Sequence, residues 1–275
     1  MKKGLAIVLS AGMVMGMAMP AYAADADMVY AVEAGSAGEA AAEEKGFQYN
    51  SVASQADALM EVASGTSDAA IIDLLMAGAM IGEGTSYPIL VHTEELTTEE
   101  YGVGCRKGSD LAAYINEVFA ETYADGSMKE LAEKYGVQDA LVEQSAEEDA
   151  TEVTEEETED ATEAATEAAE DSDVAYIQDK GSLIVGITDF EPMDYKDENG
   201  DWIGFDADMA GVVAEKLGVD VEFVEIDWDN KIMELDSKYI DVVWNGMTLT
   251  DEVTNSMECT NAYCNNAQVV VVPAE

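Results

Sequence analysis

Residues 145–173 (SAEEDATEVTEEETEDATEAATEAAEDSD) carry 14 acids, no base and no aromatic, and no other stretch constrains the fold as much. Such a run cannot bury enough apolar surface to offset the entropy of ordering it, so it is expected to stay extended and mobile. Its Ala and Glu content leaves transient helix as the structured alternative. The run divides the chain into two blocks, 24–144 and 174–275. Acidity is not confined to it: the 275 residues hold 59 Asp and Glu against 12 Lys and Arg, a formal net charge of −47. A nucleic-acid binder working through clustered cations is excluded by that balance, and docking on anionic lipid is disfavoured. The 48% of apolar residues still provides material for a core.

The first 23 residues read as a secretory signal. Lys2 and Lys3 give a positive start, 5–19 an uncharged core, and Ala21-Tyr22-Ala23 a small-x-small site, so cleavage is expected near Ala23. The core is shorter than the ~20 residues that span a bilayer, and no cysteine follows it to take a lipid. The remaining chain is expected outside the cytoplasm, in the periplasm or secreted. Cys259 and Cys264 could pair in that setting, leaving Cys105 odd; free buried thiols are the equal alternative. Three cysteines and one histidine do not suggest a zinc site, and neither metal nor cofactor is expected.

Both blocks alternate short apolar runs with helix-period segments, the pattern of βαβ units. In the second, Leu183–Thr188 reads as a strand. A helix from Asp206 places Met209, Val212, Val213 and Leu217 on one face and stops at Gly218, and 219–226 alternates as the next strand. Val242–Trp244 and Val269–Val272 follow. In the first block, 28–32, Ala69–Ile72 and Gly102–Cys105 read as strands. Ala56, Leu59, Met60 and Ala63 mark a helix, and two more carry Leu111, Ile115, Val118, Phe119 and Met128, Leu131, Ala132, Tyr135. Arg106 and Lys107 look structural, Trp244 core, Trp202 surface, and His92 an ordinary strand or loop residue.

From residue 182, SLIVGITDFEPMDYKDENGDWIGFDADMAGVVAEKLG resembles the opening of the extracytoplasmic solute-binding proteins (family 3) that feed polar amino acids to ABC importers. VEFVEIDWDNKIMEL, IDVVWNGMTLTDE and NAYCNNAQVVVV continue the likeness. The first block resembles the second half of the same family through VYAVEAGSAGEAA, ASGTSDAAIID and YGVGCRKGSDLAAYINEVFAETYADGSMKELAEKYG. The resemblance implies a two-lobed α/β fold of the type II periplasmic-binding-protein kind, with a central, mainly parallel sheet in each lobe. The lobe order is reversed, which reads as a circular permutation with the acidic run joining the family's usual end to its usual beginning. Twenty-nine flexible residues reach roughly 30 Å by coil scaling, enough for such a join. The new termini fall at an exposed loop of the kind that tolerates cutting.

Carried over by position, Asp73 matches the family acid that holds an α-ammonium. Ser36, with Gly35 in GSAGE, matches the segment that holds the ligand carboxylate, where a helix N-terminus offers free N–H groups; an ordinary N-cap is the equal alternative. Phe190, beside Asp189, matches the aromatic that stacks on the ligand, and Trp228 a wall residue. Asn245, Gly246 and Thr248 match the cleft edge. One departure stands out. Three residues after Thr250 the family usually has an Arg that clamps the carboxylate, and here the residue is Val253, which supplies neither charge nor donors. Lys231 is a possible substitute cation. The implied function is non-enzymatic binding of a small polar solute, an amino acid or related amine or amide, by a monomer that delivers it to a membrane permease. A sensor or scavenger on the same fold, and a dehydratase-type enzyme, are the alternatives.

Overall fold

The computed structural model describes residues 27–145 and 172–274. The expected signal and nearly all of the acidic run lie outside the described residues. The run's last two positions do not behave as expected. Ser172 caps and Asp173 opens a helix, and Asp173 is buried, so the folded part starts earlier than 174. The reason is an ion pair: Arg106 donates from Nε and Nη2 to the Asp173 carboxylate, at 2.8 Å for the Nη2 bond.

The first sheet contains β1 (Val29–Glu33), β2 (Gln48–Val52), β3 (Ala69–Asp73), β4 (Leu90–Glu95) and β13 (Gln268–Pro273), in the order β2-β1-β3-β13-β4. The second contains β5 (Glu99–Cys105), β6 (Ser182–Ile187), β9 (Asp220–Glu225), β10 (Val242–Thr248) and β11 (Glu258–Cys259), in the order β11-β5-β10-β6-β9, with β12 (Cys264–Asn266) also on β5. A two-stranded ribbon, β7 (Tyr195–Lys196) with β8 (Trp202–Ile203), completes the strands.

Each main sheet has three parallel strands, β2-β1-β3 and β9-β6-β10, followed by a strand that runs antiparallel to both its neighbours. In both sheets that reversed strand comes from the other half of the chain: β13 from the second half, β5 from the first. The two sheets therefore share one topology, the type II arrangement, and each is mixed rather than wholly parallel.

Helices α1 (Ala37–Lys45), α2 (Gln55–Ser64) and α3 (Leu74–Met80) belong to the first lobe. Helices α4 (Leu111–Asp125), α5 (Ser127–Tyr135), α6 (Asp173–Lys180), α7 (Phe205–Leu217), α8 (Lys231–Asp236) and α9 (Asp251–Ser256) cover the second. Among the described residues no helix is long and apolar enough to cross a membrane. Several helices stop where a glycine takes the left-handed region that other residues avoid, as Gly218 does after α7 at φ 77°. The periodic apolar residues of α4, α5 and α7 meet in one core with Trp244, Phe119 and Tyr263. That places α4 and α5, although they precede the acidic run, in the second lobe. Lys134 and Tyr135 of α5 reinforce the docking by reaching Asp208 of α7 at 2.7 and 2.8 Å.

Trp244 is fully buried, as read from the sequence, whereas Trp202 is only partly exposed, its ring covered by Lys196 at 4.5 Å. His92 is an exposed residue of β4 opposite Val271. Cys105, Cys259 and Cys264 are all free thiols, so the Cys259–Cys264 pair is not made. Lys107 caps the end of α9 through the carbonyls of Thr254 and Met257, 3.1 Å each.

Among the described residues two short crossings connect the lobes, 96–98 between β4 and β5 and Ala267 between β12 and β13. They lie side by side: the Leu96 N–H donates to the Gln268 carbonyl at 2.7 Å, and the Gln268 N–H to Thr97 Oγ1 at 2.9 Å. Paired crossings of this kind form a hinge, because a few backbone torsions there can swing one sheet against the other.

Candidate functional site

Above the hinge, where the carboxyl ends of β1 and β3 face β10 and the starts of α8 and α9, lies a cavity of about 230 Å³. Strand ends and helix starts converge there because each βα unit delivers its chain to the same edge of its sheet. The first lobe contributes Glu33, Gly35, Ser36, Gln55 and Asp73; the second contributes Trp228, Lys231, Asn245, Gly246, Thr248 and the 250–253 turn.

Seven of the nine residues singled out from the sequence line this cavity: Gly35, Ser36, Asp73, Trp228, Asn245, Gly246 and Thr248. Phe190 and Asp189 do not. Phe190 is buried behind Gly246, its ring set edge-on to Tyr101 at 6.3 Å, so it supports the cleft edge rather than forming a wall. Asp189 is exposed outside the cavity.

Gly246 is required by geometry. It sits at φ +56°, where a Cβ would also strike the Phe190 ring. Its N–H donates to Asp206 Oδ2 at 2.7 Å, and the Tyr263 hydroxyl donates to the same oxygen at 2.7 Å. Asn245 is fixed by exchange with Thr188: its Oδ1 accepts from the Thr188 N–H at 2.9 Å and its Nδ2 donates to Oγ1 at 2.8 Å.

Asp73 ends β3 with its carboxylate surrounded by donors. Oδ1 accepts from the Tyr101 hydroxyl at 2.7 Å, from Gln268 Nε2 at 2.9 Å and from Asn266 Nδ2; Oδ2 accepts from Gln55 Nε2. These donors come from both lobes and from the hinge strand. Burial, then the nearby Glu99, pushes the Asp73 carboxyl up to about 7, while Tyr101, Gln55 and Gln268 pull it down. Its two oxygens are largely occupied by the protein itself.

Ser36 is the N-cap of α1, its Oγ accepting from the Glu39 N–H at 3.1 Å. Glu39 reaches back and takes the Gly35 N–H at 2.8 Å, in the manner of a capping box. The helix start expected to hold a ligand carboxylate is thus engaged by the chain's own carboxylate.

Glu33 was not singled out from the sequence. It closes β1 at the cavity, only 3% exposed, and its Oε1 has no hydrogen-bond partner. Burial, then the negative charge of Asp73, raises its carboxyl to about 8. Lys231 crosses the cleft from α8: its Nζ donates to the Gly35 carbonyl at 2.8 Å and the Trp228 carbonyl at 3.2 Å, 5.0 Å from the centre of the Trp228 ring. Burial lowers its pKa, against the pull of Glu252 and Glu33. Val253 lines the cavity and packs with Trp228 and Met247.

Residues 183–275 match the profile of the bacterial extracellular solute-binding proteins, family 3. The arginine-binding extracellular protein ArtP of Bacillus subtilis is 33% identical over 93 residues, 34% of this chain and 36% of that protein. The L-cystine-binding protein TcyA of the same organism is 37% identical over 99 residues, 35% of this chain and 37% of that protein. A cyclohexadienyl dehydratase of Pseudomonas aeruginosa is 32% identical over 84 residues, 30% of this chain and 31% of that protein. An ancestral cationic amino acid solute binding protein of known structure is 42% identical, with 30% of this chain and 37% of that one covered and a TM-score of 0.30. The chain spans about a third of the length of the curated relatives it matches. The likeness to the bacterial extracellular solute-binding proteins of family 3 is thus carried by residues 183–275, about a third of the chain.

Proposed function

We propose that the chain binds a small polar solute, an amino acid or a related amine or amide, outside the cytoplasm, and hands it as a monomer to the permease of an ABC importer without chemical change. The observation that carries this reading is the cavity: it lies at the seam of two lobes joined by a paired hinge, and both lobes line it. A solute there touches both walls only when they are together, so its binding energy favours the closed arrangement. The volume of about 230 Å³ is below the ~300–1,000 Å³ of clefts that hold drug-sized molecules, which suits a small metabolite.

The same reading takes the lobe order as a circular permutation, with the acidic run as the join. Support comes from both ends of that run resting on the second lobe. Gln144 donates to the Ala262 carbonyl at 2.8 Å, and the Ser172 hydroxyl to Asp110 at 2.5 Å. A join between them need not cross the cleft, and the hinge stays free.

The dehydratase-named relative motivates a second reading, an enzyme acting on an anionic acid. Such chemistry needs cations placed where negative charge develops. Here the lining cation is Lys231, held by two carbonyls among several carboxylates, which argues for binding without catalysis. A sensor or scavenger shares the same cleft and differs in lacking a permease partner. Thermal-shift screening against small metabolites, followed by solution scattering with and without the best hit, tests the proposal. A raised melting temperature with a compact single particle is expected. Two separated bodies, unaffected by every metabolite, would refute it.

A further inference from the structure

The polar groups around the cavity differ in how much of their bonding capacity remains for a ligand. Asp73 is taken up by Tyr101, Gln268, Asn266 and Gln55. The Gly35 N–H is taken by Glu39, and the Ser36 hydroxyl caps α1. Lys231 is committed to two carbonyls, and Val253 offers nothing polar. Glu33 alone combines near-complete burial, a place in the cavity wall and an oxygen without a partner. A buried carboxyl oxygen left without a partner is costly, so a donor brought in by a ligand would be strongly favoured. On the opposite wall, Asp251 and Glu252 add two more carboxylates.

We propose that the cleft selects a small organic cation that carries no carboxylate, an alkylammonium, diamine or guanidine, with its charged group docked on Glu33. The inference rests on the solute-binding reading and narrows it. A zwitterionic amino acid would bring its own carboxylate into a wall that contains Glu33, Asp73, Asp251 and Glu252, where the one lining cation, Lys231, has two of its three N–H groups held by carbonyls. The carboxylates of Asp251 and Glu252 on the opposite wall would repel it. A cation without that group escapes this repulsion and meets Lys231 as its one like charge among the lining residues. Facing Glu33 are Asp73, Gln55, Lys231 and Thr188. Burial and Asp73 hold the Glu33 carboxyl near 8, so at neutral pH it keeps its proton until a cation arrives. Docking then releases that proton to solvent, and the new ion pair is left neutral.

Calorimetric titration of the full chain at pH 7 with agmatine and with arginine, which differ by one carboxylate, tests this directly; putrescine and glutamine complete the set. Agmatine is expected to bind at least about tenfold tighter than arginine, a difference of ~1.4 kcal/mol. Glu33→Gln should weaken agmatine binding by a similar factor. Heats measured in phosphate and Tris should differ for the parent chain, reporting proton release, and converge for E33Q. The agmatine-to-arginine ratio is read on the parent chain, so it stands even if the variant folds poorly. Arginine or glutamine binding as tightly as agmatine would overturn the cation proposal and leave solute binding intact. Silence from all four probes and from a broad metabolite screen would overturn both.

Discussion

Replacing Glu33 by Gln should flatten the dependence of stability on pH in the ligand-free chain. Glu33 is 3% exposed, and burial with Asp73 beside it raises its carboxyl from 4.5 to about 8. Between those values the folded chain holds a proton that the unfolded chain has lost, so the folded state binds more protons. Stability therefore falls as pH rises through that window; the contribution is complete below pH 4.5 and gone above pH 8. Inside the window each pH unit costs about 1.4 kcal/mol, and from pH 5 to 8 this one group costs on the order of 3 kcal/mol. Glutamine keeps the size of the side chain and cannot ionise. Urea unfolding of both chains at pH 5, 6, 7 and 8, without ligand, should show the parent losing about 3 kcal/mol more than E33Q over that range. Asp206, also raised to about 7 by burial and not among the groups acting on Glu33, titrates in both chains and cancels in the difference. Parallel stability curves would mean that Glu33 is ionised and satisfied in the fold, and the reasoning about its open oxygen would fail.

Arg106→Met should cost about 3–5 kcal/mol, because it leaves the buried Asp173 only the longer approach of Lys238 at 3.9 Å and takes from Asp241 one of its two cations; chemical denaturation would measure it. Gly246→Ala should destabilise by about 1–3 kcal/mol, since it combines a left-handed φ with a clash on Phe190; a melting temperature unchanged from the parent would contradict the cleft-edge geometry. Ser36→Ala should cost about 1 kcal/mol through the lost cap of α1, as urea unfolding of the variant would show.

Much of the fold was legible because its central strands are apolar runs ended by turn residues. SLIVGI, VVWNGMT and AAIID lie inside their sheets, where both faces are covered. Two edge strands were not. QYNSV of β2 and LVHTEE of β4 are largely exposed, so their composition carries little apolar signal and their pairing is set by neighbours. The cleft was partly legible through motif position, which placed Asp73, Trp228 and Asn245 at the cavity. The same matching put Phe190 there, although the ring packs behind Gly246. Position along the chain gives no information about which side of a backbone an aromatic faces. Glu33 was missed because one acid at the end of an apolar strand reads as a solvated residue until the opposite lobe covers it. Asp173 was missed for the same reason: its partner Arg106 is 67 residues away.

The exchange of β5 and β13 between halves bears on how the chain matures as it is synthesised. When β4 has emerged from the ribosome, the first sheet still lacks the strand that sits between β3 and β4, and among the described residues that strand follows every other one. The early helices α4 and α5 likewise have no sheet to rest on until β6, β9 and β10 are made. Both lobes wait on strands from the second half, so the decisive packing step comes late in synthesis. A chain cut just before β13 (Gln268–Pro273) would be left with β4 unattached and a gap through the middle of the lobe that was made first.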